Sequence, residues 1–207
     1  MRVRVKICGI TSVEDARVAA DLGADAVGII LAPESPRYVP AALAAEIFRM
    51  LPPFVHRVGV FVNEPPERMA SLAREVGLDL LQFHGEEEPE TCARASLPWY
   101  KAFRVGEGFD LARLDEYGSG VHLLDASSEG RRGGTGKTVD WAVAAEAARR
   151  HRIILSGGLG PDNVVAAVEA ARPHAVDINS GVESSPGVKV RAELTRLFRA
   201  LEIAGYR

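Results

Sequence analysis

With 207 residues, 47% of them hydrophobic and 26% charged, the chain has the composition of a folded protein able to bury a large core. A net charge of −3 excludes the basic field of a sequence-independent nucleic-acid binder. No apolar run approaches the roughly 20 residues that span a bilayer, and the two cysteines, Cys8 and Cys92, cannot build a disulfide framework; a cytoplasmic protein without nucleic-acid or membrane partners is expected.

One pattern recurs along the chain: a short β-branched run, a polar or glycine-rich turn, then an alanine-rich amphipathic stretch. Strands are predicted at Val3–Cys8, Ala26–Leu31, Arg57–Val62, Leu78–His84, Tyr100–Arg104, Val121–Asp125, Ile153–Ser156 and Ala175–Ser180. Helices are predicted at Ser12–Leu22, Ala41–Leu51, Pro66–Val76, Glu88–Ala95, Leu111–Tyr117, Asp140–Arg150, Pro161–Ala171 and Val190–Ala204. Thr11-x-x-Glu14 reads as a capping box. Pro65-Pro66 and Pro161 suit helix entrances, and Gly23 and Gly77 suit helix ends.

Strands that alternate with helices pair in parallel through crossovers. Eight such units in so short a chain fit an α/β fold of the (β/α)8 TIM-barrel type better than an open doubly wound sheet. No linker or composition break divides residues 1–207, so a single domain is expected. Side chains alternate across a strand. Val3, Val5 and Ile7 therefore face the helices, while Arg4, Lys6 and Cys8 point into the barrel. On the eighth strand Asp177 and Asn179 share that inward face. A charged interior lysine needs a partner, so a Lys6–Asp177 contact is expected where strand eight closes on strand one.

Active sites of this fold lie where strands end and loops begin. Those ends read Cys8-Gly9, Gln82-Phe83-His84-Gly85, Asp125-Ala126, Ser156-Gly157-Gly158 and Asn179-Ser180-Gly181. Cys8 and Asp125 form a base and acid pair, provided a nearby cation such as Lys6 favours the thiolate. A lone cysteine is otherwise a small buried hydrophobe. Gln82, His84 and Asp177 join Arg37, in the loop Ser35-Pro36-Arg37-Tyr38-Val39, as candidate substrate contacts; Arg37 has the fork that grips a carboxylate. Gly157, Gly158, Ser180 and Gly181, on the turns after strands seven and eight, are candidate phosphate contacts.

Gly133-Gly134-Thr135-Gly136-Lys137-Thr138 is not a nucleotide loop, because the P-loop spacing needs glycine where Arg131 stands; a lid over the end of strand six fits better. The five histidines are scattered and no nicotinamide fingerprint is present, so neither metal nor cofactor is expected.

Taken in order, Lys6-Ile7-Cys8-Gly9-Ile10-Thr11, Ser35-Pro36-Arg37-Tyr38-Val39, Leu81-Gln82-Phe83-His84-Gly85, Leu124-Asp125-Ala126, Gly133-Gly134-Thr135-Gly136, Ser156-Gly157-Gly158-Leu159 and Asn179-Ser180-Gly181-Val182-Glu183 resemble the phosphoribosylanthranilate isomerase family of tryptophan biosynthesis. The resemblance implies a cofactor-independent Amadori rearrangement of a phosphorylated small molecule. Cys8 falls on the family's general base, Asp125 on its general acid, Arg37 on the group that binds the anthranilate carboxylate, and the two glycine turns on its phosphate site. Asn179 stands where the family usually has serine. A homodimer is compatible with this reading. A histidine-pathway isomerase would put a carboxylate, not Cys8, at the mouth of strand one. A non-catalytic ligand-binding barrel would not need both acid and base.

Overall fold

In the computed structural model, which describes residues 2–106, 108–126 and 140–207, eight parallel strands close into a barrel in chain order. They are β1 (Arg4–Ile7), β2 (Ala26–Ile30), β3 (His56–Phe61), β4 (Leu80–Phe83), β5 (Trp99–Val105), β6 (Val121–Ala126), β7 (Arg152–Leu155) and β8 (Ala175–Ile178). The outer layer holds α1 (Val13–Asp21), α2 (Ala41–Arg49), α3 (Pro66–Val76), α4 (Pro89–Ala93), α5 (Trp141–Ala147), α6 (Val164–Ala171) and α7 (Arg191–Ile203). The stretch Gly133–Thr138 lies outside the described residues.

Strand parity divides the interior into two cores. Val3, Val5, Ile7, Val27, Ile29, Val176 and Ile178 face outward into the layer between sheet and helices. Val58, Tyr100, Ala102, Leu123, Ile154 and Ala175 fill the inside of the barrel. Each fully buried large aliphatic side chain contributes about 1.5–3 kcal/mol, so the outer layer supplies most of the stabilisation. The barrel interior is left to carry polar groups near its C-terminal mouth.

Several local expectations are corrected. Ser12, not Thr11, caps α1 by accepting a hydrogen bond from the Asp15 N–H at 3.1 Å. Thr11 instead donates to the Gly187 carbonyl at 2.6 Å. The predicted fifth helix is a 3₁₀ helix, Leu111–Glu116. Leu111, Leu114 and Tyr117 recur every third residue, a spacing that aligns side chains on three-residue turns rather than α-turns. After Pro161, α6 begins only at Val164. Gly77 does end α3 in left-handed conformation, with φ 74°.

The chain after β8 holds elements that the strand and helix pattern did not suggest. A short 3₁₀ turn, Ser180–Val182, leads into a small antiparallel ribbon of β9 (Glu183–Ser185) and β10 (Val188–Lys189). This ribbon packs over the loop after β1 and the first turn of α1, through the Thr11–Gly187 bond and a Lys189 N–H to Asp15 contact of 3.3 Å.

Candidate active site

The strand ends surround a cavity of about 580 Å³, lined by Cys8, Arg37, Gln82, His84, Asp125, Gly157, Gly158, Asp177, Asn179 and Ser180. Gly181 is not on its wall.

β1 and β8 register Lys6 directly against Asp177. Lys6 Nζ lies 2.7 Å from Asp177 Oδ2, with both side chains 5% exposed, so the expected contact is present. Arg4, one step nearer the opposite mouth, is exposed and bonds His174 at 3.2 Å. Room for Lys6 and Cys8 comes from Gly28 on β2, where a Cβ would sit 2.8 Å from Lys6 Cε and 2.9 Å from Cys8 Sγ. Asp177 Oδ1 is buried and accepts no hydrogen bond from the described residues. It is an acceptor at the cavity floor.

The electrostatics differ from the expectation for a lysine-stabilised thiolate. Burial, then the Asp177 carboxylate, push the Cys8 thiol up, and Lys6 offsets them only in part. Burial pulls Lys6 down, but Asp177, with smaller contributions from Cys8 and Tyr100, outweighs it and holds the lysine above its ordinary value. Lys6 and, more weakly, Lys189 do not offset burial and Asp177, so a further positive charge is needed to favour the thiolate.

On the opposite wall β4, β5 and β6 supply a second polar chain. The Tyr100 hydroxyl donates to Gln82 Oε1 at 2.9 Å, and Gln82 Nε2 donates to His84 Nδ1 at 2.7 Å. That orientation leaves the proton of a neutral His84 on Nε2, which lies 3.5 Å from Asp125 Oδ2. The turn that carries His84 is fixed from behind. Glu87 accepts the Gly85 N–H at 3.0 Å and pairs with buried Lys101 at 3.2 Å, while Lys101 donates to the Gly85 carbonyl at 2.7 Å.

Arg37 is positioned by its own loop, where its N–H bonds the Ser35 hydroxyl at 3.1 Å. One edge of its guanidinium is already filled: Nη2 lies 2.7 Å from Glu183 Oε2 and Nε lies 3.0 Å from Glu183 Oε1. Lys189 Nζ approaches Glu183 Oε1 at 2.8 Å. Burial alone would push Glu183 up, but Arg37 and Lys189 together bring it below its ordinary value. Neither Glu183 nor Lys189 was singled out from the sequence. Glu183 stands in a motif that was noticed, but 146 positions separate it from Arg37 and no spacing rule connects them.

The two glycine turns meet. Gly157 and Gly158 have φ of 90° and 62°, backbone that non-glycine residues rarely adopt. A Cβ on Gly181 would strike the Leu159 carbonyl at 2.0 Å, so Gly181 serves close packing of one turn on the other. Backbone N–H groups at such unshielded turns suit an oxyanion. Among the described residues no group of His, Cys, Asp and Glu can hold a metal ion, and no helix is long and apolar enough to cross a membrane.

A family model described as N-(5′-phosphoribosyl)anthranilate (PRA) isomerase matches residues 5–200. The N-(5′-phosphoribosyl)anthranilate isomerase of Geobacter sulfurreducens is 49% identical over 95% of this chain and 97% of its own length. That of Pelobacter propionicus is 45% identical over 95% and 94%. The phosphoribosyl anthranilate isomerase of Thermus thermophilus superposes with a TM-score of 0.90 at 41% identity, over 97% of this chain and 99% of that one. A second solved isomerase, in complex with reduced 1-(o-carboxyphenylamino)-1-deoxyribulose 5-phosphate, gives 0.85 at 40% identity over 97% and 98%. Monomers generated by mutation from the dimeric Thermotoga maritima enzyme give 0.87 at 40% identity over 97% and 98%.

Proposed function

The chain belongs to the N-(5′-phosphoribosyl)anthranilate isomerase family, and we propose that Cys8 and Asp125 perform its Amadori rearrangement as base and acid without a cofactor. The reaction converts N-(5′-phosphoribosyl)anthranilate to 1-(2-carboxyphenylamino)-1-deoxyribulose 5-phosphate, a step of tryptophan biosynthesis. The observation that carries the assignment is the shared cavity, into which Cys8, just past β1, and Asp125 of β6 both open.

Asp125 donates a proton to the ribose ring oxygen as the C1′–O bond breaks, and the nitrogen lone pair forms a protonated Schiff base at C1′. That cation acidifies the C2′ proton, which Cys8 removes. The electron pair moves into a C1′–C2′ double bond and neutralises the nitrogen. The enolamine then loses its C2′ hydroxyl proton and gains one at C1′, giving the ketone. Base and acid must begin in opposite states. With burial and Asp177 opposing the thiolate, the substrate's own developing cation favours it.

Arg37 takes the anthranilate carboxylate, Asp177, Gln82 and His84 face the remaining polar atoms, and the turns at Gly157, Gly158, Ser180 and Gly181 hold the phosphate. Gly181 acts there through packing, since the 2.0 Å approach leaves no room for a side chain. The test is the loss of anthranilate-type fluorescence over time with wild-type, Cys8→Ala and Asp125→Asn protein. Near-normal turnover in both variants would overturn the assignment.

A homodimer in the cytoplasm completes the proposal. The dimeric Thermotoga maritima relative supports it. So does Phe54, fully exposed in the loop between α2 and β3. Two unpaired buried cysteines suit a reducing compartment.

A further inference from the structure

We infer that Glu183 is a positioning residue for substrate selection: it holds one edge of Arg37 so that the other edge faces the cavity, and Lys189 ties this assembly to the turn after β8. The inference rests on the reading of Arg37 as the carboxylate-binding group.

A guanidinium has five N–H donors. Glu183 takes the Nε–H and one Nη2–H, at 3.0 and 2.7 Å. The edge between Nη1 and Nη2 remains, and it is a second fork of the right shape for a carboxylate. Glu183 itself has nothing left to offer a ligand. Its Oε1 accepts from Arg37, from the Gly187 N–H at 3.1 Å and from Lys189 at 2.8 Å. Lys189 is equally saturated, since its three donors meet Glu183, the Asn179 carbonyl at 3.2 Å and Asn179 Oδ1 at 3.0 Å.

The side chains of Arg37, Glu183 and Lys189 are 10%, 3% and 0% exposed, so this network is not screened as a surface pair would be. Two cations against one carboxylate leave one positive charge, which a substrate carboxylate neutralises. The network also lies against the catalytic turn. A Cβ on Gly9 would meet Arg37 Cδ at 2.7 Å and Asn179 Oδ1 at 2.6 Å. The arginine stem therefore crosses the backbone beside Cys8, and a rotated guanidinium would no longer present its free edge to the substrate carboxylate. Lys189 bonds Asn179, next to Ser180, so the same contacts couple carboxylate recognition to the phosphate turn.

The experiment compares N-(5′-phosphoribosyl)anthranilate with the analogue formed from aniline and ribose 5-phosphate, which lacks the carboxylate. Glu183→Gln is expected to raise KM for the carboxylated substrate about 10–100-fold, the effect of misaligning one charge-assisted pair, with kcat changed far less. For the aniline analogue, which shares only the phosphate turn, the loss in kcat/KM is about tenfold smaller than for the carboxylated substrate. Arg37→Met is the control for the underlying reading. Equal losses on both substrates in Arg37→Met would refute the carboxylate role itself. Selective loss in Arg37→Met with no selective loss in Glu183→Gln would refute the positioning role alone. Glu183→Asp retains the charge but retracts it by one methylene, and the same selectivity for the carboxylated substrate is expected. It decides the question if the glutamine variant fails to fold, and equal loss on both substrates in Glu183→Asp would overturn the inference.

Discussion

Lys6 and Asp177, 171 positions apart in sequence, form a buried ion pair of 2.7 Å beneath Cys8. The pair explains how a lysine is tolerated inside the barrel, and its carboxylate also opposes the effect of that lysine on the thiol. Asp177→Asn should therefore have two separable consequences. Stability should fall by about 3–5 kcal/mol, because a buried charge loses its partner. Alkylation of Cys8 by iodoacetamide should titrate at lower pH than in wild type, because the carboxylate that pushes the thiol up is gone. An unchanged or higher midpoint would contradict this account of the base.

Cys8→Ala and Asp125→Asn should each lower kcat by about 10²–10⁴, the usual loss for one acid or base group. Both should retain affinity for the product, because the phosphate turns and Arg37 are untouched. Product titration by fluorescence checks the second half of the prediction. Loss of binding in parallel with turnover would indicate damage to the cavity rather than removal of a proton-transfer group.

The Tyr100–Gln82–His84 chain predicts a smaller effect. Gln82→Leu removes the donor that keeps the His84 proton on Nε2, toward Asp125. We expect kcat to fall by about tenfold, at the low end for a residue acting through another, with a smaller change in KM from its own contact with the substrate. A change in KM alone would leave Gln82 a substrate contact only.

How much of this was legible in the sequence depended on distance along the chain. Alternation in Val3–Cys8 was enough to turn Lys6 and Cys8 inward, and the same parity at Asp177 was enough to pair it with Lys6, because strand closure follows from the fold. The positions of the loop ends followed in the same way. Spacing rules did not reach Arg37 and Glu183, whose contact depends on how a ribbon folds back after β8. They also misassigned the cap of α1, where Thr11 and Ser12 compete and tertiary contact with Gly187 takes the threonine. The pKa direction of Cys8 was equally inaccessible, because it depends on a balance between burial and two opposed charges.

His122, at the other end of β6, makes acid stability testable. Its ring is buried, neither nitrogen has a partner among the described residues, and it stacks edgewise on His151 at 5.1 Å. Burial, then His151, lower it from 6.5 to about 4, against a smaller opposite effect of Asp115. The unfolded chain thus takes up a proton below about 6.5 that the folded chain refuses until about 4. Stability present above 6.5 should be lost through that window, by up to about 3 kcal/mol. Urea unfolding of wild type and His122→Leu at both ends of the window checks this: the variant should show a flatter pH dependence, and equal slopes would remove His122 as the cause.

Phe54 is held at φ 72° and is fully exposed, with Met50 at the C-terminal end of α2 also exposed. Left-handed backbone costs a bulky residue about 1–2 kcal/mol, and a lone ring in water returns nothing to offset it. Insertion into a second copy of the chain would. The loop lies at the N-terminal end of β3, opposite the mouth that carries Cys8 and Asp125, so association and catalysis are separable. Phe54→Ser should weaken the proposed dimer at least tenfold, about 1.4 kcal/mol or more for one buried aromatic, and leave kcat within about twofold, within the small effect expected of a surface change away from the site. Sedimentation equilibrium with parallel turnover assays reads both. A wild-type chain that sediments as a monomer at all concentrations, or a variant that dimerises as tightly as wild type, would dismiss this surface as the interface.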